Sequence, residues 1–383
     1  MRAVLSSEEM GGHRAWSRRN PVPCELILRG DSPHIRQVVT GFYELNAAGL
    51  VTLRVRGEPH GEAAEWLDPL SLRAVIAGRR VLYDASDGWY IPPELGPHLE
   101  STEHYFKRAL DPQRLDGLPA AVQVSPLGLN YLVTSRRNLW HRGLHPFDPR
   151  RLARSFARRV SVLAGQLGAR DMREMHIADF EVPPAADAAP RVLFMCRAWP
   201  AEAALHSAYV RTDCEAINEM RAACIRAARA EFGERFYGGF AVDEFTRREY
   251  GDCLLPDRKA SERHAFLARV RTSAVCVATT GLHGSIGWKM AEYVAASRAI
   301  VSEPLRYQVP GGFAVGRNFL EFDSLEGFIA AVERLLRDAS LREDMMRANW
   351  EYYRRWVRPD AQVLRTLERV LGEVEGGGGR TQA

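Results

Sequence analysis

The strongest constraint on this chain is an alternation of short apolar segments with amphipathic helical segments that stops and then restarts. Residues 182–190, Val-Pro-Pro-Ala-Ala-Asp-Ala-Ala-Pro, contain three prolines and few bulky apolar side chains, a composition typical of linkers. Before them, strand-like segments occur at 24–28, 51–55 and 80–83, and residues 34–45 place apolar side chains at helical spacing. Strands that alternate with helices favour a parallel sheet covered on both faces.

The same alternation resumes after the proline-rich stretch. The run at 191–196 is continuously apolar, which is typical of a strand buried in a parallel sheet. Helical patterns at 213–232 and 324–336 and strand-like segments at 274–278 and 299–302 follow it. The 383 residues are enough for two domains with hydrophobic cores of their own. The sequence therefore predicts an α/β fold in two units.

Composition narrows the functional classes. The chain is 46% hydrophobic with a net charge of +4, and its 48 acidic residues are interspersed among 52 basic ones, which argues against a nucleic-acid-binding surface. The six cysteines include no C-x-x-C pair, so we expect a reducing compartment and no metal site. No segment has the length of a signal peptide core or of a membrane span. We therefore expect a cytoplasmic protein.

The segment 279–301 carries the most specific chemistry, with a pattern of strand, glycine turn, helix and strand. Ser285 is placed to cap the helix, and the free N–H groups at a helix start attract anions. Lys289 in the first turn is electrostatically unfavourable there unless an anion binds. Three glycines permit positive φ and close backbone approach: Gly281, Gly284 and Gly287.

Glu292 lies three residues after Lys289, so the two side chains share one helix face. In one interpretation a diphosphate binds at the turn near Lys289 while a ribose reaches Glu292. In the other, the turn is an ordinary α/β connection and the two side chains form an ion pair within the helix. The residues alone leave both open.

Residues 190–357 resemble the donor half of GT-B glycosyltransferases, in particular the large retaining group with a Glu-x7-Glu motif. In that family a glycine-rich turn and helix end in Glu-Ala-Met-Ala-x-Gly-x-Pro-Val-Val, and Glu292-Tyr-Val-Ala-Ala-Ser-Arg-Ala-Ile-Val matches it in position and character. The first Glu would fall at 284, where this chain has Gly284. The family also places an Arg on the donor phosphates after the first strand of this half, where Arg197 stands.

This resemblance implies two Rossmann-like domains with a cleft between them and a C-terminal helix that crosses back after a break at Pro359. It implies a nucleotide-diphosphate-sugar as co-substrate, with no cofactor and no metal. The donor-binding residues carried over are Arg197, Gly284, Ser285, Ile286, Gly287, Lys289 and Glu292. The division expected is a flexible arm at 1–21, an acceptor domain at 22–182, a linker at 183–190, a donor domain at 191–357, a returning helix at 358–372 and a disordered tail at 373–383.

Further candidates lie near strand ends. Asp84 and Asp87 follow the segment at 80–83, where ligand-binding loops emerge in α/β sheets, and either is a candidate catalytic base toward an acceptor. The alternative is a solvated loop or a helix cap. His283, beside the glycine turn, is a candidate for contact with donor phosphate or sugar.

Lys107 and Arg108 follow an apolar pair and are candidates for the acceptor side of the cleft; the alternative is a solvated strand end. Asp31 and Ser32 are expected to cap the helix at 34–45.

These observations predict a glycosyltransferase that moves a sugar from a nucleotide-diphosphate-sugar donor to a small-molecule or glycan acceptor. The alternatives are a nucleotide-sugar epimerase on the same fold and a catalytically silent nucleotide-binding scaffold. The donor nucleotide, the sugar, the acceptor, the stereochemical course and the oligomeric state are left open by the sequence.

Overall fold

Two β-sheets, one on each side of the proline-rich stretch, organise the chain. Outside the residues described lie the first 17 residues of the arm, residues 186–188 of the linker and the tail at 373–383. Residues 151–167, for which the sequence predicts an Arg-rich helix, also lie outside them. The computed structural model describes residues 18–57, 70–89, 95–141, 175–185, 189–200 and 208–372.

The first sheet has six strands in the order β2-β1-β3-β4-β5-β6. Its strands are β1 (Val22–Leu28), β2 (Val51–Gly57), β3 (Ser71–Ile76), β4 (Arg79–Asp84), β5 (His104–Lys107) and β6 (Gln123–Pro126). The described helices that precede the proline-rich stretch are α1 (Arg36–Ala47), α2 (Gly96–Glu100) and α3 (Ile177–Phe180).

Strand β3 departs from the parallel sheet that the sequence predicts. It pairs antiparallel with both β1 and β4, while the other neighbours in this sheet pair parallel. The β3–β4 hairpin turns at Ala77 (φ 48°) and Gly78 (φ 84°), two successive left-handed residues of the kind that a tight hairpin needs. The alternation of buried Leu72, Ala74 and Ile76 with half-buried residues is the sequence signal for this strand.

The second sheet is parallel throughout, with five strands in the order β11-β10-β9-β7-β8. Its strands are β7 (Val192–Cys196), β8 (Phe236–Phe240), β9 (Val275–Ala278), β10 (Ala299–Ser302) and β11 (Leu320–Glu321). The helices of this half are α4 (Ala208–Phe232), α5 (Glu244–Glu249), α6 (Arg263–Thr272), α7 (Trp288–Ala295), α8 (Leu325–Arg337) and α9 (Ala339–Tyr352).

Strand β7 shows why the second sheet is covered on both faces. All five of its residues are buried, and they alternate between two separate cores. Phe194 packs among side chains of α4 and α8, whereas Leu193 and Met195 pack among side chains of α6 and α7. A strand with two buried faces has a continuously apolar sequence, as the run at 191–196 does.

The chain returns to the first sheet through its last helix, α10 (Pro359–Leu371). A π-helical turn, Tyr353–Val357, follows α9, and Arg358 leaves helical geometry before Pro359 opens the new helix. Proline suits the first helical position because its missing N–H has no partner there in any case. Leu364 and Leu367 of α10 belong to the core of the first sheet, so the crossing-back helix is present.

The expected cap of the first helix is wrong. The N-cap position of α1 is Ile35, which has no side-chain hydrogen bond. Ser32 Oγ instead accepts from the N–H of His34, while Asp31 pairs with Arg36 at 2.9 Å. The helix therefore starts later than the polar residues that looked like its cap.

Candidate functional site

The loops at the carboxyl ends of the two sheets face and touch one another. The ring of His34, after β1, meets that of Trp288 edge-on with centroids 5.3 Å apart. The amide of Trp89, after β4, lies 3.3 Å from the hydroxyl of Tyr307, after β10. Ligands of open α/β sheets bind outside the carboxyl ends of the strands, so this seam is the candidate site.

The glycine turn between β9 and α7 is a compact loop closed on itself. The amide of Gly281 donates to the carbonyl of Ser285 at 2.8 Å. His283 and Gly284 both have left-handed backbones, with φ of 61° and 69°. A left-handed backbone strains most side chains but not glycine, which gives a physical reason for the glycine at position 284.

Helix α7 begins at Trp288, and its N-cap position is Gly287, which provides no side-chain cap. The prediction that Ser285 caps the helix is wrong, because Ser285 lies three residues before the helix with an extended backbone. Within the described ranges, the N–H groups of Trp288 and Lys289 donate to no protein acceptor, whereas an antiparallel bridge between Thr280 and Ile286 directs the N–H of Gly287 at the carbonyl of Thr279. Ile286, between Ser285 and Gly287, contributes its carbonyl to a contact described below.

Lys289 lies half-buried in the first turn of α7. Burial lowers the pKa of its ammonium, and the positive charges of Arg221 and Arg197 lower it further, although Glu292 opposes them. The Nζ atom lies 5.7 Å from the centre of the Phe266 ring. No described carboxylate forms an ion pair with Lys289.

Two arginines complete a positive cluster at this edge of the sheet. Arg197 follows β7, and its side chain is exposed. Arg221 of α4 is buried and donates to the carbonyls of Arg197 and Thr280, each at 2.8 Å, and to Thr279 Oγ1 at 3.0 Å. Burial lowers the pKa of Arg221. Neither arginine has an ion pair with any carboxylate that the structure describes, although the charge of Glu303 acts on Arg221 from a greater distance.

Glu292 does not pair with Lys289, so the interpretation of an ion pair within the helix is wrong. Its Oε1 atom instead accepts from the guanidinium of Arg263, on α6, at 2.5 Å. Glu292 is 1% exposed, and its Oε2 atom has no hydrogen-bond partner among the described residues. The carboxylate thus keeps one buried acceptor oxygen without a described partner beside the positive cluster.

Asp84 and Lys107 form a buried ion pair under the first-sheet side of the seam. They are 1% and 0% exposed, and Lys107 Nζ lies 3.0 Å from Asp84 Oδ2. That oxygen also accepts from the Tyr105 hydroxyl at 2.7 Å, and Oδ1 accepts from the amide of Ser86 at 2.8 Å. Burial lowers the pKa of Lys107, and the neighbouring Asp84 opposes that shift. Neither alternative at these positions, a solvated loop or a solvated strand end, is found.

Arg108 is also buried, at 6% exposed, and it joins the two halves of the site. One terminal nitrogen lies 2.6 Å from Asp87 and 3.1 Å from the carbonyl of Ala85. The other donates to the carbonyl of Ile286, in the glycine turn, at 2.7 Å. Asp87 itself is half exposed, so its carboxylate borders the seam.

His283 lies against the 84–89 loop across the seam. Its amide donates to Asp213 at 2.8 Å, and its carbonyl accepts from the Tyr307 hydroxyl at 2.7 Å. A Cβ atom placed on Gly88 would stand 3.3 Å from the Cβ of His283, so the imidazole side of the turn rests on the backbone of the 84–89 loop. The structure therefore brings His283 and Asp87, two of the sequence candidates, to one seam.

Four residues of the site were missed by the sequence analysis: Arg221, Arg263, Tyr307 as a hydrogen-bond donor, and His34. Each lies far along the chain from the residue it contacts, and none belongs to a local motif. In a sequence so rich in arginine, no local signal distinguishes Arg221 or Arg263 from the others.

The part of the chain that the structure describes contains neither a candidate metal site nor a candidate membrane span. No group of three or more His, Cys, Asp or Glu side chains there is arranged to hold a metal ion. No helix in those ranges has both the length and the apolar character needed to cross a bilayer. All six cysteines are buried with free thiols.

Comparison with models of known protein families gives no match, and comparison with curated proteins gives none either. Solved structures similar to this chain include a sucrose-phosphate synthase of Thermosynechococcus elongatus, at 14% identity and a TM-score of 0.39, covering 92% of this chain and 100% of the other. An alpha1,3-fucosyltransferase has 12% identity and a TM-score of 0.41, covering 96% and 95%.

A glycosyltransferase of Rickettsia africae has 11% identity and a TM-score of 0.39, covering 89% of this chain and 82% of its own. These TM-scores are low, so the likeness by itself does not establish a shared family. The structure confirms the architecture that the sequence predicts. Two β-sheets with helices meet at the carboxyl ends of their strands, and the last helix returns to the first sheet.

Proposed function

We propose that this protein is a glycosyltransferase of the GT-B type that uses a nucleotide-diphosphate-sugar donor. The observation that carries the proposal is the positive cluster of Lys289, Arg197 and Arg221 at the uncapped start of α7. None of these three cations forms an ion pair with a described carboxylate, and the N–H groups of Trp288 and Lys289 beside them have no protein acceptor. Together they form a receptor for an anion with more than one negative charge.

The chemistry of glycosyl transfer fits this arrangement. As the bond between the sugar and the diphosphate breaks, negative charge develops on the leaving nucleoside diphosphate. Cations and backbone donors already in place stabilise that charge without reorganising. We assign this role to Lys289, Arg197 and the turn from Gly284 to Gly287, and we assign the unpaired oxygen of Glu292 to a donor hydroxyl.

The acceptor side is proposed to be the loop after β4. We propose that Asp87, at the seam, takes the acceptor proton if the reaction inverts, and that His283 contacts the sugar or its phosphate. Asp84 is enclosed by donors, so its proposed role is to hold Lys107 and the loop in place. We expect a cytoplasmic enzyme that needs no divalent metal.

Thermal unfolding in the presence of UDP, GDP, ADP, dTDP and CDP, each with magnesium and with EDTA, tests the proposal. One nucleotide at about 100 times its Kd is expected to add about 2.7 kcal/mol of stability and raise the midpoint by several degrees. The nucleotide that binds then identifies the donors to screen for sugar transfer. A midpoint unmoved by all five would contradict the proposal.

Lys289→Met is the decisive variant, because methionine keeps an apolar stem of similar length but lacks the charge. Since burial lowers the pKa of Lys289, holding its charge works against folding. We therefore expect about tenfold weaker nucleotide binding with an unfolding midpoint that is unchanged or higher. Lys259→Met, at an exposed position of the same half, is the matched control and should leave the affinity unchanged. Equal affinities in the two variants would remove Lys289 from the site.

A further inference from the structure

Ser86 is the half-buried end of a hydrogen-bonded chain that starts in the interior of the first half. It lies in the loop after β4, two residues beyond Asp84. The ammonium group of Lys107 donates to Ser86 Oγ, and the same ammonium lies 3.0 Å from Asp84 Oδ2. Asp84 and Lys107 are both buried, so Ser86 is the one of these three side chains that a ligand can reach.

The charges of the chain decide which atom donates in the contact between Lys107 and Ser86. Asp84 accepts from Lys107, from the hydroxyl of Tyr105 at 2.7 Å and from the amide of Ser86 at 2.8 Å. A carboxyl group that only accepts is ionised, and a buried carboxylate needs a cation such as Lys107 beside it. An ammonium group has donors and no lone pair, so Ser86 Oγ is the acceptor.

The hydroxyl proton of Ser86 therefore points away from Lys107. Among the residues that the structure describes, no protein group accepts this proton. An O–H group whose oxygen accepts from a cation is a stronger donor than an isolated one, because hydrogen bonds in series polarise one another. Ser86 thus presents a polarised donor without a described protein acceptor.

This donor lies in the loop that borders the seam. Gly88, two residues after Ser86, rests against His283 of the glycine turn, since a Cβ atom placed on it would stand 3.3 Å from the Cβ of His283. Asp87, between Ser86 and Gly88, is half exposed. The loop therefore places a hydroxyl donor and a carboxylate acceptor on consecutive residues at the seam.

The charges around Ser86 favour an uncharged ligand group. Asp84 pairs with Lys107 and Asp87 pairs with Arg108, so the two anions and two cations of this loop cancel. Unlike the start of α7, the loop offers no cation in excess to attract a phosphate or a carboxylate. A carbohydrate hydroxyl is uncharged and both accepts and donates, which suits a donor beside an acceptor.

We infer that Ser86 binds the acceptor substrate by donating a hydrogen bond to an uncharged oxygen, a hydroxyl group of a carbohydrate. Asp84 and Lys107 touch no substrate and are positioning residues, because they direct the Ser86 proton. This inference rests on the proposed function and deepens it by naming the chemical class of the acceptor.

Transfer kinetics of Ser86→Ala and Ser86→Thr test the inference. The donor is a sugar nucleotide of the nucleoside diphosphate selected by the unfolding screen, and the acceptors are the uncharged methyl glycosides of glucose, galactose and mannose. Ser86→Ala should raise the KM of the glycoside about fivefold, since one hydrogen bond between neutral groups is lost. The Kd of the nucleoside diphosphate should stay unchanged, and Ser86→Thr, which keeps the hydroxyl, should restore the parental KM.

Ser101→Ala is the matched control. Ser101 is exposed and precedes β5, so it lies at the opposite edge of the first sheet from the seam. This variant should leave the KM of the glycoside and the Kd of the nucleotide as they are in the parent. Unfolding midpoints establish that each variant is folded, because Ser86→Ala also removes one partner of the buried Lys107.

Two outcomes would show that Ser86 acts in another way. If Ser86→Ala weakens nucleotide binding as much as it raises the KM of the glycoside, the loop is generally disturbed and the inference is wrong. If a fluorophosphonate labels Ser86 in the parent protein, the serine is a nucleophile beside a neutral lysine, and the direction assigned to its proton is overturned.

The possible failures are distinguishable. If the parent protein binds none of the nucleotides, the proposed function fails. If the parent binds a nucleotide but transfers its sugar to none of the glycosides, the acceptor class inferred from Ser86 is wrong. If the parent transfers the sugar and Ser86→Ala does so with the parental KM, only the role of Ser86 fails.

Discussion

The two loops that meet at the seam differ in whether their charged side chains form ion pairs. In the 84–89 loop of the first half, Asp84 pairs with Lys107 and Asp87 pairs with Arg108, and both cations are buried. At the start of α7 in the second half, Lys289 has no described ion-pair partner, and burial lowers its pKa.

Charge pairing shows which of the two loops is framework and which is receptor. A buried ion pair with its hydrogen bonds satisfied fixes a loop, because moving either partner leaves a charge uncompensated. An unpaired cation is a cost to folding that a bound anion would offset. We infer that the first half supplies a rigid edge and that the second half supplies the cations for the proposed anionic ligand.

The largest expected effect comes from breaking the framework side. Lys107→Met leaves the carboxylate of Asp84 buried without its cation, and breaking a buried pair costs about 3–5 kcal/mol. Urea unfolding at neutral pH measures the loss. If the pair is the cause, adding Asp84→Asn to Lys107→Met should recover part of that loss, because no unpaired charge then stays buried. A loss below about 1 kcal/mol in the single variant would mean that the pair does not hold the loop.

A smaller effect is expected on the receptor side, and it should appear in binding and not in stability. Arg197→Ala removes an exposed cation beside the proposed diphosphate, so nucleotide affinity should fall by several-fold, and by less as salt is raised. Arg191→Ala is matched to it, since Arg191 is exposed at the opposite end of the same strand. The comparison of the two loops loses its support if these variants bind the nucleotide equally.

The smallest effect concerns a second paired charge of the first half, Asp31, which contacts Arg36 and His141. Burial raises the pKa of Asp31, but hydrogen bonds and charge from these two partners outweigh it and leave the pKa below its ordinary 3.8. A carboxyl with a lowered folded pKa stabilises the protein above its unfolded pKa, and this stabilisation is lost as pH falls through the folded value.

Asp31→Asn should therefore cost about 0.5–1 kcal/mol at pH 7, and the difference from the parent should narrow as pH falls below 3.8. Chemical denaturation at pH 7, 4 and 3 measures both curves. A difference that stays constant with pH would show that Asp31 acts through packing and not through its charge.

The sequence by itself determined the α/β alternation, its restart after the proline-rich stretch and the glycine turn with Lys289. These are local properties: a buried parallel strand such as β7 must be continuously apolar, and a strand–glycine–helix turn must expose helix N–H groups. The start of the last helix could also be predicted, because Pro359 interrupts the helical pattern and proline suits the first turn of a new helix.

Only the tertiary structure decided which charges pair. Glu292 lies one helical turn from Lys289 yet pairs with Arg263, 29 residues away in the chain, and Arg108 reaches across the seam to Ile286. Periodicity determines which face a residue occupies, but an ion pair forms with whichever opposite charge the packing brings within about 4 Å. That choice depends on how helices and loops from distant parts of the sequence are set against each other, and the amino-acid pattern does not encode it locally.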